Sequence, residues 1–173
     1  MDAAKDDVNK TKDENLPACK IEKIIPTNFK NLKSNDKLYI SVIGAPCYKV
    51  ILTIRIISED NKVLYEYIHP FKKHVATQWD DPNLEADAKN FVKHLIKNHS
   101  VSASNLPPFS SSEEGRKTPV GYDYTITINE KFYKNIIKSN KPVFTHPTHC
   151  EAWRYIVYDE KSSKGVIILE AGL

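Results

Sequence analysis

Histidine is the residue type in this sequence whose spacing best suits metal chemistry. Four of the six histidines fall into two short segments, His-Pro-Phe-Lys-Lys-His and His-Pro-Thr-His-Cys-Glu. Neutral imidazole is a good ligand for divalent metals, so two such pairs could converge on a tetrahedral zinc site, with Cys150 or Glu151 as an alternative ligand. The candidate metal ligands are His69, His74, His146 and His149. Zinc held by this set would serve a metal-dependent hydrolase.

These histidines also allow a plainer interpretation. Their spacing matches no zinc signature such as HExxH, and a histidine that bonds within its own domain is commoner than a metal ligand. A proline follows both His69 and His146, which favours extended backbone and predicts that both lie at strand ends. Because neighbouring strands lie about 4.8 Å apart, the two pairs can share a site only if their strands pair or end at the same side of a sheet.

The three cysteines, Cys19, Cys47 and Cys150, form an odd set without a CxxC motif. This pattern disfavours a dense disulfide framework and a cysteine-type zinc site. Cys47 and Cys150 each precede a strand-like run, and in an oxidising compartment we expect these two to pair while Cys19 stays free. Buried reduced thiols are the alternative.

Other catalytic signatures are absent from the sequence. It contains no Gly-x-Ser-x-Gly nucleophile elbow, and its five glycines are too dispersed for a P-loop or a GxGxxG turn. The acidic pairs at residues 80–81 and 113–114 fit a helix cap and a solvated loop. Tyr65 and Tyr67 are expected to fill the core. The sequence therefore predicts a non-enzymatic binding or interaction domain for a protein or a small ligand, with the zinc hydrolase as the alternative.

Composition limits both the class of protein and the class of partner. The chain has 173 residues, of which 40% are hydrophobic and 27% charged, and this is typical of one globular domain. Its net charge of +3 comes from interspersed residues, and Arg55, Arg116 and Arg154 are the only arginines, so we expect no nucleic-acid partner. No apolar run approaches the roughly 18 residues that a membrane span needs.

The first residues of the chain are polar and charged. The start, Met-Asp-Ala-Ala-Lys-Asp-Asp, lacks the apolar segment of a signal peptide. We therefore expect a soluble protein, which would be periplasmic or secreted if Met1 replaces a removed export signal. Residues 1–20 are predicted to form a flexible polar tail, because so few apolar side chains cannot offset the entropy of ordering. Residues 21–173 are predicted to form a single α+β domain.

Apolar patterning predicts the elements of that domain. Strand-like runs rich in β-branched and aromatic residues cover residues 37–43, 49–57, 62–68, 122–128, 153–158 and 165–170. Turn-forming residues after the second and the fifth run predict two antiparallel hairpins. Apolar residues from Leu84 to Ile96 recur at helical spacing behind a cap at residues 81–82, and Asn129 caps a shorter amphipathic stretch.

These elements predict the fold class. Hairpin connections favour an antiparallel sheet, and the apolar stripe of the longer helix must be covered by that sheet. We therefore expect an α+β domain with a mostly antiparallel sheet of about six strands. One main helix would cover one face of the sheet, and a second, short helix would complete the domain.

Overall fold

Residues 18–45, 49–71, 84–110, 123–149 and 152–172 are described by the computed structural model, and they form nine strands and two α-helices. The first sheet contains β1 (Cys19–Thr27), β2 (Asp36–Gly44), β3 (Ile51–Ile57) and β4 (Val63–Pro70). The second sheet contains β5 (Ser100–Val101), β6 (Tyr124–Ile126), β7 (Val143–His149), β8 (Ala152–Asp159) and β9 (Lys164–Ala171). The helices are α1 (Leu84–Asn98) and α2 (Glu130–Lys138), and a short 3-10 turn covers Ala103–Asn105.

Both sheets are antiparallel. The strand order is β1-β2-β3-β4 in the first sheet and β5-β7-β8-β9-β6 in the second. The predicted α+β class and the hairpins β3-β4 and β8-β9 are confirmed. The prediction of one sheet of about six strands under a single helix was wrong, because the strands divide between two sheets. Alternating side chains show only that one face of each strand is buried, and two facing sheets satisfy that pattern as well as one covered sheet does.

The strand β1 was not predicted from the sequence. It reads Cys-Lys-Ile-Glu-Lys-Ile-Ile-Pro-Thr and lies at an edge of the first sheet, where charged residues and proline are tolerated. Its first residue, Cys19, lies two positions before the predicted start of the domain at residue 21. Residues 1–17, which make up most of the predicted tail, lie outside the described residues.

The facing sides of the two sheets enclose the larger apolar core. Ile40, Leu52 and Ile54 of the first sheet are fully buried and share a cluster with Phe144 and Ile156 of the second. The opposite side of the second sheet packs against α2, in a separate cluster. The second sheet is therefore covered on both faces, by the first sheet and by α2.

The helix α1 closes one open side of this sandwich. The predicted apolar stripe is confirmed, since its buried residues are Leu84, Ala88, Val92 and Leu95. Its contacts go to β1 of the first sheet and to β7 of the second, so it bridges two sheets instead of covering a face of one. The cap predicted at residues 81–82 lies outside the described residues. In the part of the chain that the structure describes, no helix is long and apolar enough to cross a membrane.

The shorter helix begins where the sequence predicts. The side-chain oxygen of Asn129 accepts a hydrogen bond from the backbone amide of Phe132 at 2.9 Å. This bond satisfies one of the amides that the first turn of a helix leaves without a partner. After the last residue, Lys138, the chain reverses through Asn140, which has a positive φ of 48°. Asparagine is one of the few residues that adopts this conformation readily.

A buried carboxylate organises the turn between β1 and β2. Asp36 is fully buried, and its Oδ2 atom accepts hydrogen bonds from the backbone amides of Phe29 (3.1 Å) and Lys30 (2.8 Å) and from the hydroxyl of Ser34 (2.6 Å). The Lys30 ammonium lies 3.7 Å from the other oxygen. The Phe29 amide is one of these donors, so the bonds to Asp36 fix the backbone of the residue whose ring enters the core.

The Asp36→Asn variant is expected to lower the free energy of unfolding by about 2 kcal/mol. The amide keeps one oxygen as an acceptor but loses the charge that strengthens bonds to three donors, and each charge-assisted bond is worth about 1.5 to 3 kcal/mol. Urea unfolding measures the loss. Glu22→Gln makes the same chemical change on an exposed part of β1 and is expected to cost less than about 0.5 kcal/mol. Equal losses in the two variants would contradict the role of Asp36.

Candidate functional site

Polar and aromatic side chains meet between the two sheets on strands β4, β7, β8 and β9. The register pairs His146 with Arg154 and Arg154 with Glu170, which puts these three side chains in one row across the second sheet. Tyr65, Tyr67 and His69 alternate along β4. Because alternate residues of a strand face the same side, the Tyr-x-Tyr-x-His pattern presents three polar rings to that row.

The sheets touch at one end of β4 and leave a cleft at the other. A methyl group placed on Gly165 of β9 would lie 3.0 Å from the Phe29 ring and 3.1 Å from Cβ of Tyr65, so a larger residue would force these neighbours to shift by a few tenths of an ångström. Further along the two strands lies an open cleft of about 760 Å³, here called the inter-sheet cleft. It is lined by Glu66, Tyr67, Ile68, His69, Thr148, Ala152, Trp153, Arg154, Glu170, Ala171 and Gly172.

His146 lies behind the cleft and is fully buried. Its Nδ1 atom is 2.8 Å from the carbonyl oxygen of Pro147, and since a carbonyl only accepts, Nδ1 carries the proton. The other ring nitrogen, Nε2, then accepts a hydrogen bond from the hydroxyl of Tyr65 at 2.7 Å. Burial lowers the pKa of His146 to about 4, with a smaller contribution from the positive charge of Arg154. The imidazole is therefore neutral at pH 7, and both of its nitrogens are engaged.

Tyr65 and Arg154 also hold fixed protonation states. Burial raises the pKa of Tyr65 to about 12, although the charge of Arg154 opposes the rise. Burial alone would lower the pKa of Arg154, but its hydrogen bond to Glu170 and the charge of that carboxylate raise it instead. The Arg154 Nε atom donates to Glu170 Oε1 at 2.6 Å. An Arg–Glu pair of zero net charge therefore forms part of the cleft wall.

Tyr67 joins the two sheets at the cleft. Its hydroxyl donates to the carbonyl oxygen of Thr148 on β7 at 2.9 Å. Its ring stacks on His69, with centroids 5.6 Å apart and planes 6° from parallel, and lies 4.6 Å from the ring of His146. The guanidinium carbon of Arg154 is 5.8 Å from the centroid of the same ring. The wall of the cleft is thus a stack of rings and one cation, supported from both sheets.

The structure brings two of the four predicted metal ligands to this region. His69 and His146 both contact the ring of Tyr67, so the two His-Pro segments meet at the same cleft. The backbone of His149 lies at the end of β7, but its side chain and the whole of His74 lie outside the described residues. Within the described ranges, no three His, Cys, Asp or Glu side chains converge as a metal site. The four-histidine zinc site stays a prediction.

The state of Cys19 differs from the prediction. Cys19 is buried and disulfide-bonded, so the expectation that it stays free was wrong. The predicted pair, Cys47 and Cys150, lies outside the described residues. That pairing stays a prediction. Cys19 falls within the predicted tail of residues 1–20, whereas β1 pairs Cys19 with Gly44 inside the first sheet.

Most of the contacts that form the site were not predicted from the sequence. Tyr65 and Tyr67 were expected in the core, where both pack, but their hydrogen bonds to β7 were not foreseen, and Arg154 was given no role beyond its rarity. The alternation Tyr-Glu-Tyr-Ile-His on one strand was a usable signal, because it places three rings with polar atoms on one face. The partners of these rings come from β7 and β8, more than 75 residues later, and no local pattern indicates that pairing.

No protein-family model matches the sequence, and neither a curated protein nor a solved structure matches it significantly.

Proposed function

We propose that this protein is a non-enzymatic binding domain and that the inter-sheet cleft holds its ligand, a protein segment or a small molecule. The observation that carries the proposal is an open cleft of about 760 Å³ with the rings of Tyr67, His69 and Trp153 and the Arg154–Glu170 pair in its wall. Binding sites are typically concave, lined by aromatic side chains, and oriented by a few fixed polar groups. This wall combines all three features.

The electrostatics of the site supports binding more than acid–base catalysis. General acids and bases work best with a pKa near the working pH. The pKa of His146 is lowered to about 4 and that of Tyr65 is raised to about 12. Neither group changes its charge near neutral pH, and Arg154 is held by Glu170. Tyr65 and His146 therefore keep the same donors and acceptors behind the cleft across the neutral range, which suits a fixed binding surface better than proton transfer.

The zinc hydrolase has less support from the geometry. The placement of His69 and His146 against one tyrosine ring favours it, because two candidate ligands lie in one region. Against it, both nitrogens of His146 already bond to Pro147 and Tyr65, so this imidazole would have to give up a bond to reach a metal. Zinc bound in equimolar amount to protein purified without a chelator, and lost in His146→Ala, would favour the hydrolase.

Ligands of the cleft are expected to depend on Arg154 and not on a matched, ion-paired lysine elsewhere. The probe is a library of small polar and aromatic fragments, followed by amide chemical shifts of the protein. We expect the shifted amides to cluster at the inter-sheet cleft and Arg154→Met to weaken binding about tenfold or more, since a lost charge-assisted bond costs about 1.5 to 3 kcal/mol.

Lys141→Met is the matched control. The partly buried Lys141 pairs with Glu160, as Arg154 pairs with Glu170, but neither Lys141 nor Glu160 lines the cleft. Its replacement is expected to change fragment affinity less than twofold, and circular dichroism verifies that both variants remain folded. Fragments that shift no cleft amides, or that lose the same affinity in both variants, would overturn the proposed function.

A further inference from the structure

The strand β4 lies at an edge of the first sheet, and this edge borders the inter-sheet cleft. Among the described residues β4 pairs with β3 and with no other strand. Four consecutive residues, Glu66 to His69, line the cleft. Successive side chains of a strand point to opposite faces, so a cleft touches four in a row only where it runs along the edge of the strand.

The ladder between β3 and β4 fixes which backbone groups point to this edge. The amide of Phe71 donates to the carbonyl of Val50 at 3.0 Å, so this pair is hydrogen-bonded. Bonded and non-bonded pairs alternate in an antiparallel ladder. By the register, Tyr67 and His69 then bond to β3, whereas Glu66 and Ile68 occupy the non-bonded positions opposite Arg55 and Thr53. The amide and carbonyl groups of Glu66 and Ile68 therefore point away from β3.

These outward groups are available to a partner. No backbone hydrogen bond outside the ladder involves Glu66 or Ile68 within the described part of the chain. Pro70 occupies a non-bonded position of the ladder, as Glu66 and Ile68 do. An N–H at this position would point to the open edge, so proline removes no hydrogen bond between β3 and β4. The edge thus offers the two amides of Glu66 and Ile68 and the carbonyls of Glu66, Ile68 and Pro70, after which proline ends the row of donors.

We propose that β4 accepts an extended peptide strand of another protein through main-chain hydrogen bonds to Glu66 and Ile68, with alternate peptide side chains entering the inter-sheet cleft. This inference rests on the proposed function and names its ligand class. Strand addition of this kind takes affinity from the backbone bonds and specificity from pockets for every second side chain. The Arg154–Glu170 pair has no net charge, so it suits a side chain that hydrogen-bonds, such as Asn, Gln, Ser or Thr.

A peptide fits this edge better than a second copy of the chain does. If β4 of a copy paired with this edge, its inward side chains would be Tyr65, Tyr67 and His69. In the copy these side chains already pack inside its own domain, where Tyr65 and Tyr67 bond to β7. They could not enter the cleft beside the new strand, and its volume would stay unfilled. A peptide without a fold of its own brings side chains that are free to enter.

The test begins with random 12-residue peptides displayed on phage, selected on the protein and then synthesised. Ile68→Pro removes one edge amide without removing a ladder bond, because that amide points away from β3. We expect this variant to weaken the selected peptides about tenfold or more, as the loss of a backbone bond in a desolvated site requires. Ile68→Val keeps the amide and nearly the same side chain, and it is expected to change affinity less than twofold.

Hydrogen exchange supplies a measurement that needs no variant. In the free protein we expect the amides of Glu66 and Ile68 to exchange fast and those of Tyr67 and His69 to exchange slowly. A bound peptide is expected to slow the first two at least tenfold. Peptides with N-methyl groups at every second residue are expected to lose binding in one methylation register and to keep it in the other, which tests the backbone bonds even if Ile68→Pro does not fold.

Each outcome separates this inference from the proposed function. Peptides that lose affinity in Arg154→Met but tolerate Ile68→Pro and both methylation registers would overturn strand addition and leave cleft binding in place. Strand addition would also be overturned, and cleft binding would stand, if fragments bind the cleft and no peptide is selected. Slow exchange of Glu66 and Ile68 in the free protein, together with a dimer in sedimentation, would assign the edge to a second copy and overturn the peptide proposal. If neither fragments nor peptides bind, both proposals fail.

Discussion

Acidification from pH 7 to pH 4 is expected to remove about 3 kcal/mol of folding free energy through the side chain of His146. In the folded protein, burial lowers the pKa of this imidazole to about 4, against an ordinary value of 6.5 in the unfolded chain. A difference of about 2.5 between the two values corresponds to about 3 kcal/mol. The effect is large because the ring is fully buried and no carboxylate contacts it in the described structure.

The sign follows from proton uptake. Between pH 6.5 and pH 4 the unfolded chain takes up a proton at His146 that the folded chain does not, so unfolding becomes more favourable as the pH falls. The stabilising contribution is fully present above pH 6.5 and is lost through this window. Below pH 4 both states are protonated at His146 and the contribution is constant.

Urea unfolding at several pH values measures this contribution against His146→Gln. Glutamine can donate to the carbonyl of Pro147 and accept from Tyr65, but it does not titrate. The carboxylates contribute equally to the pH dependence of both proteins. The difference in unfolding free energy between wild type and variant therefore isolates the contribution of His146. We expect that difference to shift by about 3 kcal/mol, against the wild type, from pH 7 to pH 4. The same replacement at exposed His94 is the matched control, and parallel curves for wild type and His146→Gln would contradict the prediction.

The titration of His146 matters for the cleft because of where the ring bonds. Tyr65 from the first sheet donates to Nε2, and a protonated imidazole has no lone pair to accept that bond. Protonation would also place a positive charge beside Arg154. Both changes weaken the contact between β4 and β7, and this contact forms the base of the inter-sheet cleft. Ligand affinity is therefore expected to fall together with stability in acid.

The parts of the fold that the sequence predicts are those decided by neighbours in the chain. The hairpin β3-β4 follows from the turn that contains Asn61, which has a positive φ of 61°, and β8-β9 follows from a turn that contains Ser163, with a φ of 56°. The cap at Asn129 is equally local. In each case the determining contacts span a few residues, so residue type and spacing contain the information.

The division into two sheets could not be predicted in this way. The pairing of β5 with β7 and of β6 with β9 joins segments about 40 residues apart, and their energies depend on which surfaces face each other after collapse. The same reason applies to the site. His146 was identified as a residue of interest from its type, but its role as a neutral partner of Tyr65 depends on a contact across 81 residues.

Among substitutions, the largest loss of stability is expected for Tyr133→Ala, at about 4 kcal/mol. Tyr133 is fully buried on α2, its hydroxyl donates to the carbonyl of Pro107 at 2.7 Å, and its ring lies 5.9 Å from that of Phe109. Truncation of a buried aromatic ring leaves a cavity that costs about 3 to 5 kcal/mol. The hydroxyl of the nearby Tyr124 donates to the carbonyl of Pro108. The two tyrosines together therefore hold residues 107–108 against the second sheet.

Tyr133→Phe separates the hydrogen bond from the packing. It keeps the ring and leaves the Pro107 carbonyl without its partner, so we expect a loss of about 1 to 2 kcal/mol in urea unfolding. Lys134→Ala, on the exposed side of the same helix, removes only an ion pair with Glu130 and is expected to cost less than about 1 kcal/mol.

A loss below about 1 kcal/mol for Tyr133→Ala would show that α2 contributes little to the fold. A large loss would locate the support of the second sheet on the face opposite the cleft, because Tyr133 packs in the cluster that contains Val157 and Leu169 of β8 and β9. These are the strands that carry Arg154 and Glu170, so the positions of those two side chains depend on the packing of α2 behind them.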